Sequence, residues 1–160
     1  MSRSCQARRP QGRRAFSLIE LLSVLAIVAL LAAAALTRFG TRTIDNLTGD
    51  GVARKLALDL IQARRRTLAT GDNHYLLFTP SAAAPTSYTM YRRASGGDVV
   101  VDKARTLPTG VTMVASHATQ EFDFDGASLA AYSTTSTGPN RTWTVSTVMA
   151  TGTVQTTVTP

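Results

Sequence analysis

The pattern of apolar and polar positions divides the chain into three stretches. From Phe16 to Leu36 apolar side chains occupy every direction, and Val24 to Leu36 is an unbroken apolar run of 13 residues. After Leu36 the pattern turns amphipathic. Val52, Ala53, Leu56, Ala57, Leu60, Ile61 and Leu68 keep the spacing of one buried helix face, while Arg54, Lys55, Asp59 and Arg65 take other directions. Gly40, Gly49 and Gly51 mark weak points, with "NLTGDGV" the softest, and "ATGDN" at 69–73 is a helix stop. From His74 onward the chain is rich in Thr, Val and Tyr between turn formers. Strands are predicted near 74–79, 87–92, 98–102, 111–115, 120–125, 128–134, 142–149 and 153–159. The loops between them include "PSAAAPTS", "RASGG", "FDG" and "STGPNR". The predicted architecture is α+β: a long N-terminal helix, apolar in its first half, whose amphipathic half packs on an antiparallel β-sheet domain.

The 21 residues Phe16 to Leu36 reach roughly 31 Å at about 1.5 Å per residue, close to the ~30 Å hydrocarbon thickness of a bilayer. Arg3, Arg8, Arg9, Arg13 and Arg14 precede this segment, against Arg38 and Arg42 just after it, which places the N-terminus in the cytoplasm and the remainder across the membrane. The same five arginines account for most of the net charge of +7. Without them 12 basic residues face 10 acidic ones, so the basicity is weak evidence for a nucleic-acid partner. The single cysteine, Cys5, also lies ahead of the apolar segment, which leaves the rest of the chain without a disulfide or a thiolate.

Glu20 sits near the start of this apolar segment, where a carboxylate at bilayer depth costs about 2.5 kcal/mol or more. An ordinary secretory signal, cleaved near Ala33 to Ala35 in "LLAAAAL", leaves that residue unexplained. So does a twin-arginine signal built on Arg13-Arg14-Ala15-Phe16. "RRAFSLIELL" instead resembles the N-terminus of type IV pilins and type II secretion pseudopilins: a short basic leader, a small residue, Phe, then an apolar helix with Glu at the fifth mature position. The resemblance implies cleavage by a prepilin peptidase between Ala15 and Phe16, N-methylation of Phe16, and pairing of Glu20 with a neighbouring subunit's terminal amine during assembly. The family usually has Gly before the cut, where this chain has Ala15. A cationic amine on Phe16 would lie one helical turn from Glu20, and a carboxylate in the first turn of a helix is favoured by the exposed N–H groups there. "LALDLIQARRRTLATGDNHYLLF" followed by "EFDFDGAS" is similar to the GspH/FimT branch, through Ala63-Arg64 at the helix end and the Phe122 to Gly126 turn. A pilin-like fold follows, divided into a leader (1–15), a transmembrane and assembly helix (16–36), its amphipathic continuation (37–70) and a β domain (71–160).

Catalytic patterns are not found in the sequence. His74 and His117 are 43 residues apart without a Cys or a helical His partner, and no phosphate-cradling loop or nucleophile elbow occurs, so no enzyme, metal or cofactor is implied. Asp123 and Asp125 alternate with Phe122 and Phe124, which on a strand puts the carboxylates on one side and the rings on the other. Arg64, Arg65 and Arg66 form the one basic run after the membrane segment. Consecutive helical residues point about 100° apart, so the run reads as a solvated helix end rather than a single patch. Some FimT-like members bind DNA, and Arg64, Arg65, Arg66 and Arg141 are the residues available for such contacts, but only Arg141 is basic after Arg105.

The sequence therefore leads to a minor pseudopilin subunit of a type II secretion or type IV pilus-like filament. It is expected to be single-pass in the bacterial inner membrane, with a periplasmic β domain, a prepilin peptidase and other pilin-like subunits as partners, and a role in assembly and protein export. A DNA-binding minor pilin of an uptake pilus and a soluble exported binding domain are the alternatives.

Overall fold

The computed structural model describes residues 17–160, with the backbone alone for 36–46. A single helix, α1, runs from Leu18 to Thr70. The chain divides into two compact units, one up to Gly40 and one from Thr41 to Pro160. In the first unit, Leu18–Ala35 has a mean hydropathy of 2.6 and is long and apolar enough to cross a membrane.

The second unit holds the amphipathic half of α1 and nine strands. They are β1 (His74–Thr79), β2 (Ser87–Arg92), β3 (Val99–Val100), β4 (Arg105–Thr106), β5 (Thr112–Ala115), β6 (Thr119–Phe122), β7 (Ser133–Thr137), β8 (Thr142–Val148) and β9 (Thr153–Thr159). They form two sheets rather than one. The first has the order β3-β2-β1-β6, with β4 also on β2, and the second runs β5-β7-β8-β9; every pair is antiparallel. The alternation on β8 shows why the sequence forms such a sheet: Trp143, Val145 and Thr147 point inward while the threonines and serine between them are half-exposed. One core cluster joins Ala53, Leu56, Leu60 and Ala63 of α1 to Leu76, Phe78 and Phe122 of the first sheet and Met113, Trp143 and Val145 of the second. Full burial of each large side chain contributes about 1.5–3 kcal/mol, so the helix face is a main source of stability for the unit.

Several expectations are corrected. The soft place expected at "NLTGDGV" does not interrupt the helix, because α1 continues through Gly49 and Gly51, as it does through Gly40. Gly49 is buried, and a Cβ there would stand 2.5 Å from Cζ3 of Trp143, so its lack of a side chain lets the helix approach the indole. The buried face ends on Thr67, not Leu68, which is largely exposed. The helix stop falls as expected: Gly71, at φ 74°, donates its N–H to the Thr67 carbonyl at 2.8 Å.

The strand expected at 120–125 ends at Phe122, where the chain turns. Asp123 accepts from the N–H of Phe124 through Oδ1 (2.9 Å), Asp125 accepts from that of Ala127 (2.8 Å), and Gly126 takes φ 80°. Phe122 is therefore buried and Phe124 63% exposed, so the two rings do not share a strand face. The strand expected at 128–134 begins only at Ser133, because the Ser128 hydroxyl donates to the Ala130 carbonyl (2.7 Å) and holds that segment in a loop. The short β4 was not foreseen.

Candidate assembly surface

The helix start is organised by Ser17, whose carbonyl accepts the N–H groups of Glu20 (3.0 Å) and Leu21 (3.1 Å). This places Glu20 in the first turn, exposed, with Ser23 donating to its carbonyl at 2.9 Å. A carboxylate there meets the partial positive charge of the helix N-terminus. Around it Leu18, Ile19, Leu21, Leu22, Val24 and Leu25 are all exposed, so among the described residues nothing covers this apolar surface. Ala15 and Phe16, the expected cleavage and methylation residues, lie outside the described residues.

The expected arginine contacts do not come together. Arg64 is half-buried and donates from Nε to the Gly126 carbonyl at 2.9 Å. Arg65 is exposed and Arg66 half-buried. Arg141 lies instead beside Leu47, Asp50, Arg54 and Trp143, near the other end of the packed helix. From residue 47 to residue 64 the helix rises about 26 Å, so these cations make no continuous strip. Arg64 does join the two features that carried the branch resemblance, the helix end and the turn ending at Gly126. Leu68 packs under Gly126, and a Cβ on Gly152 would meet both the Gly126 carbonyl oxygen and the Arg64 side chain.

Two polar networks escaped the sequence reading. Asp59, whose side chain is 3% exposed, accepts at Oδ2 from the Tyr88 hydroxyl (3.0 Å) and from Arg105 Nε (3.3 Å). Lys55 Nζ stands 3.1 Å from Oδ1, a charge contact whose angles do not make a hydrogen bond. Burial pushes the Tyr88 phenol well up, and the Asp59 carboxylate adds to it. The available signal was helical spacing, since Asp59 falls between Leu56 and Leu60 and turns inward with Ala63.

The second network centres on Arg93. It donates to both Glu121 oxygens, at 3.1 Å to Oε1 from Nε and 2.9 Å to Oε2 from Nη2, and to Asp98 at 2.9 Å. It also covers the Tyr75 ring, with its guanidinium carbon 4.4 Å from the centroid. Burial first, then the hydrogen bond to Asp98, raises Tyr75 to about 12. His74 is buried: its N–H donates to Thr67 Oγ1 (3.1 Å), and Nδ1 donates to the Asp72 carbonyl (2.9 Å). Desolvation lowers its pKa, against the opposing pull of the Asp72 carbonyl. These groups are all engaged in holding α1 to the sheets or the strands to one another.

The family described as the prokaryotic N-terminal methylation motif matches residues 10–36. No curated protein sequence matches the chain. Among solved structures, the minor pseudopilin EpsH of the type 2 secretion system of Vibrio cholerae is similar over 68% of this chain and 95% of its own, with TM-score 0.58 and 11% identity. The type IV minor pilin FimU of Pseudomonas aeruginosa is similar over 73% of this chain and 90% of its own, with TM-score 0.57 and 13% identity. At such identities the likeness is one of fold, an N-terminal helix on antiparallel sheets. The chain thus carries a prokaryotic N-terminal methylation motif at the start of its long helix, followed by a fold similar to that of the minor pseudopilin EpsH and the minor pilin FimU.

Proposed function

We propose that the chain is a minor pseudopilin or minor pilin subunit that acts by assembly into a type II secretion or type IV pilus-like filament. The observation that carries this reading is the apolar, outward-facing Leu18–Ala35 helix with Glu20 in its first turn. A prepilin peptidase cuts after Ala15 on the cytoplasmic side and Phe16 is N-methylated. The helix then holds the subunit in the inner membrane, with the β domain in the periplasm, until it moves into the filament.

In that move Glu20 is neutralised by the terminal amine of an adjacent subunit, which removes the cost of holding a lone carboxylate in an apolar surrounding. Ala26, Ala29 and Ala33 fall within about 60° of one another around the helix, a small-residue stripe that permits close helix approach. Mass spectrometry of the mature N-terminus tests the reading. N-methyl-Phe16 is expected, and a chain beginning after Ala33 would refute it in favour of a released soluble domain. The dispersed arginines give no support to a nucleic-acid role, and DNA binding at low salt by the full chain would reopen it.

A further inference from the structure

Arg141 immediately precedes β8 and borders a depression of about 630 Å³ whose other walls come from β8, β9 and the packed half of α1. Leu47, Trp143 and Val158 give it apolar walls, and Asp50 and Arg54 border it as an ion pair at 2.8 Å. Arg141 is exposed, and among the described residues its guanidinium has neither a carboxylate nor a hydrogen-bond acceptor as partner. The depression therefore carries one uncompensated positive charge on largely apolar walls.

A second depression, of about 480 Å³, adjoins the first. It shares Asp50, Arg54 and Val158 with it and continues along the helix to Ala57 and Leu58. From Leu47 to Leu58 the helix rises about 16 Å, so the two make one elongated groove with the free cation at one end and apolar side chains at the other. Leu47 is 69% exposed, Leu58 59% and Val158 53%, which leaves the apolar walls open to an occupant.

A guanidinium is a permanently charged, planar fork of N–H donors that matches a carboxylate or a phosphate. Small-molecule sites are concave, mostly apolar and of this volume, with a few polar groups that fix orientation. Both parts of an occupant are therefore specified. A simple anion would leave the apolar walls bare, a neutral hydrocarbon would leave the guanidinium unmatched, and a single acidic side chain is too short to run the length of the groove. We propose that the groove binds an amphipathic anion, with a carboxylate or phosphate head at Arg141 and an apolar chain lying toward Leu58. A free fatty acid and a membrane phospholipid share that chemistry. The groove lies within the second unit, so this site stands or falls separately from the fate of Phe16 and Glu20.

Trp143 is the only tryptophan in the sequence and lines the groove, so its fluorescence reports on the site directly. The full chain is placed in phosphatidylcholine nanodiscs and titrated with decanoate. A saturable change in Trp143 emission is expected, while acetate and decanol, which carry the head or the chain alone, should each bind at least roughly tenfold more weakly. Arg141→Gln should weaken decanoate binding by a similar factor without moving the melting temperature, because the guanidinium it removes has no partner within the described residues. Nanodiscs containing phosphatidylglycerol separate the two sources: emission already shifted before decanoate is added assigns a membrane lipid, and unshifted emission assigns a free amphiphile. Absence of a saturable response to decanoate overturns the proposal, as does an equal response to decanol or unchanged affinity in Arg141→Gln. A response to an acetylated peptide of leucine and glutamate, with none to decanoate, would make a polypeptide the occupant and overturn it equally.

Discussion

Gly49 and Gly51 lie two residues apart in the same helix, yet alanine should act on them with opposite sign. Relative to glycine, alanine favours a helix interior by about 0.8–1.0 kcal/mol at either position. At Gly51 a new Cβ meets nothing within 4 Å, so Gly51→Ala should stabilise by nearly that amount. At Gly49 the same atom would lie 2.5, 2.9 and 3.2 Å from three carbons of the Trp143 ring, against an ordinary carbon–carbon contact of about 3.5–4.0 Å. The ring cannot swing aside at little cost. Trp143 is buried on β8, an inner strand bonded on both sides. Either the indole or the helix must shift by about 1 Å, and overpacking of that kind costs about 1–3 kcal/mol.

Because the helix-propensity gain is common to both variants, their difference isolates the packing cost. Gly49→Ala should therefore melt below Gly51→Ala by roughly 4–12 °C, taking about 4 °C per kcal/mol for a domain of this size. The assay is thermal unfolding of the full chain in detergent, followed by near-ultraviolet circular dichroism, which also reports the Trp143 environment. If Gly49→Ala stabilised the protein as much as Gly51→Ala, the close approach of helix and indole would be refuted.

Asp59→Ala should destabilise by about 1–3 kcal/mol in urea unfolding, since it strips a buried acceptor from Tyr88 and Arg105 whose partly exposed cation recovers some hydration. His74 is held with a lowered pKa by burial, so the unfolded chain binds its proton first as pH falls. Its contribution is fully present above the unfolded value near 6.5 and is lost as pH drops toward the lower folded value, so stability should decline as pH falls below about 6.5, with a shallower slope in His74→Gln. Glu20→Leu should insert into the membrane normally yet enter filaments poorly, read by membrane fractionation and filament shearing; normal incorporation would contradict the role proposed for Glu20.

Much of this fold is legible in the sequence because local chemistry marks it. β1, β2 and β9 keep the expected bounds, each being a β-branched or aromatic run closed off by nearby turn-forming residues. The apolar helix, and the place of Glu20 in its first turn, were legible for the same reason: composition and local spacing suffice. What escaped depended on partners distant in the chain. Gly49 looked like a helix weakness because Trp143, the residue that requires it, lies on β8. Asp59 looked like a surface charge because the groups that satisfy it, Tyr88 and Arg105, come from strands of the first sheet. The "DFD" alternation suited a strand, but Asp123 and Asp125 bond to nearby backbone N–H groups and so make the turn more favourable than the ladder.

The junction of Arg64, Gly126 and Gly152 makes the domain unevenly tolerant of added chain. Three segments converge there with no room for a single extra carbon on Gly152, whereas Gly96 and Gly97 have nothing within 4 Å of where a side chain would begin. A short epitope tag placed between Gly96 and Gly97 should leave the protein folded and labelled. The same tag placed between Asp125 and Gly126 would separate the end of the helix from the sheets it closes, so new surface loops can be grafted at one turn and not at the other.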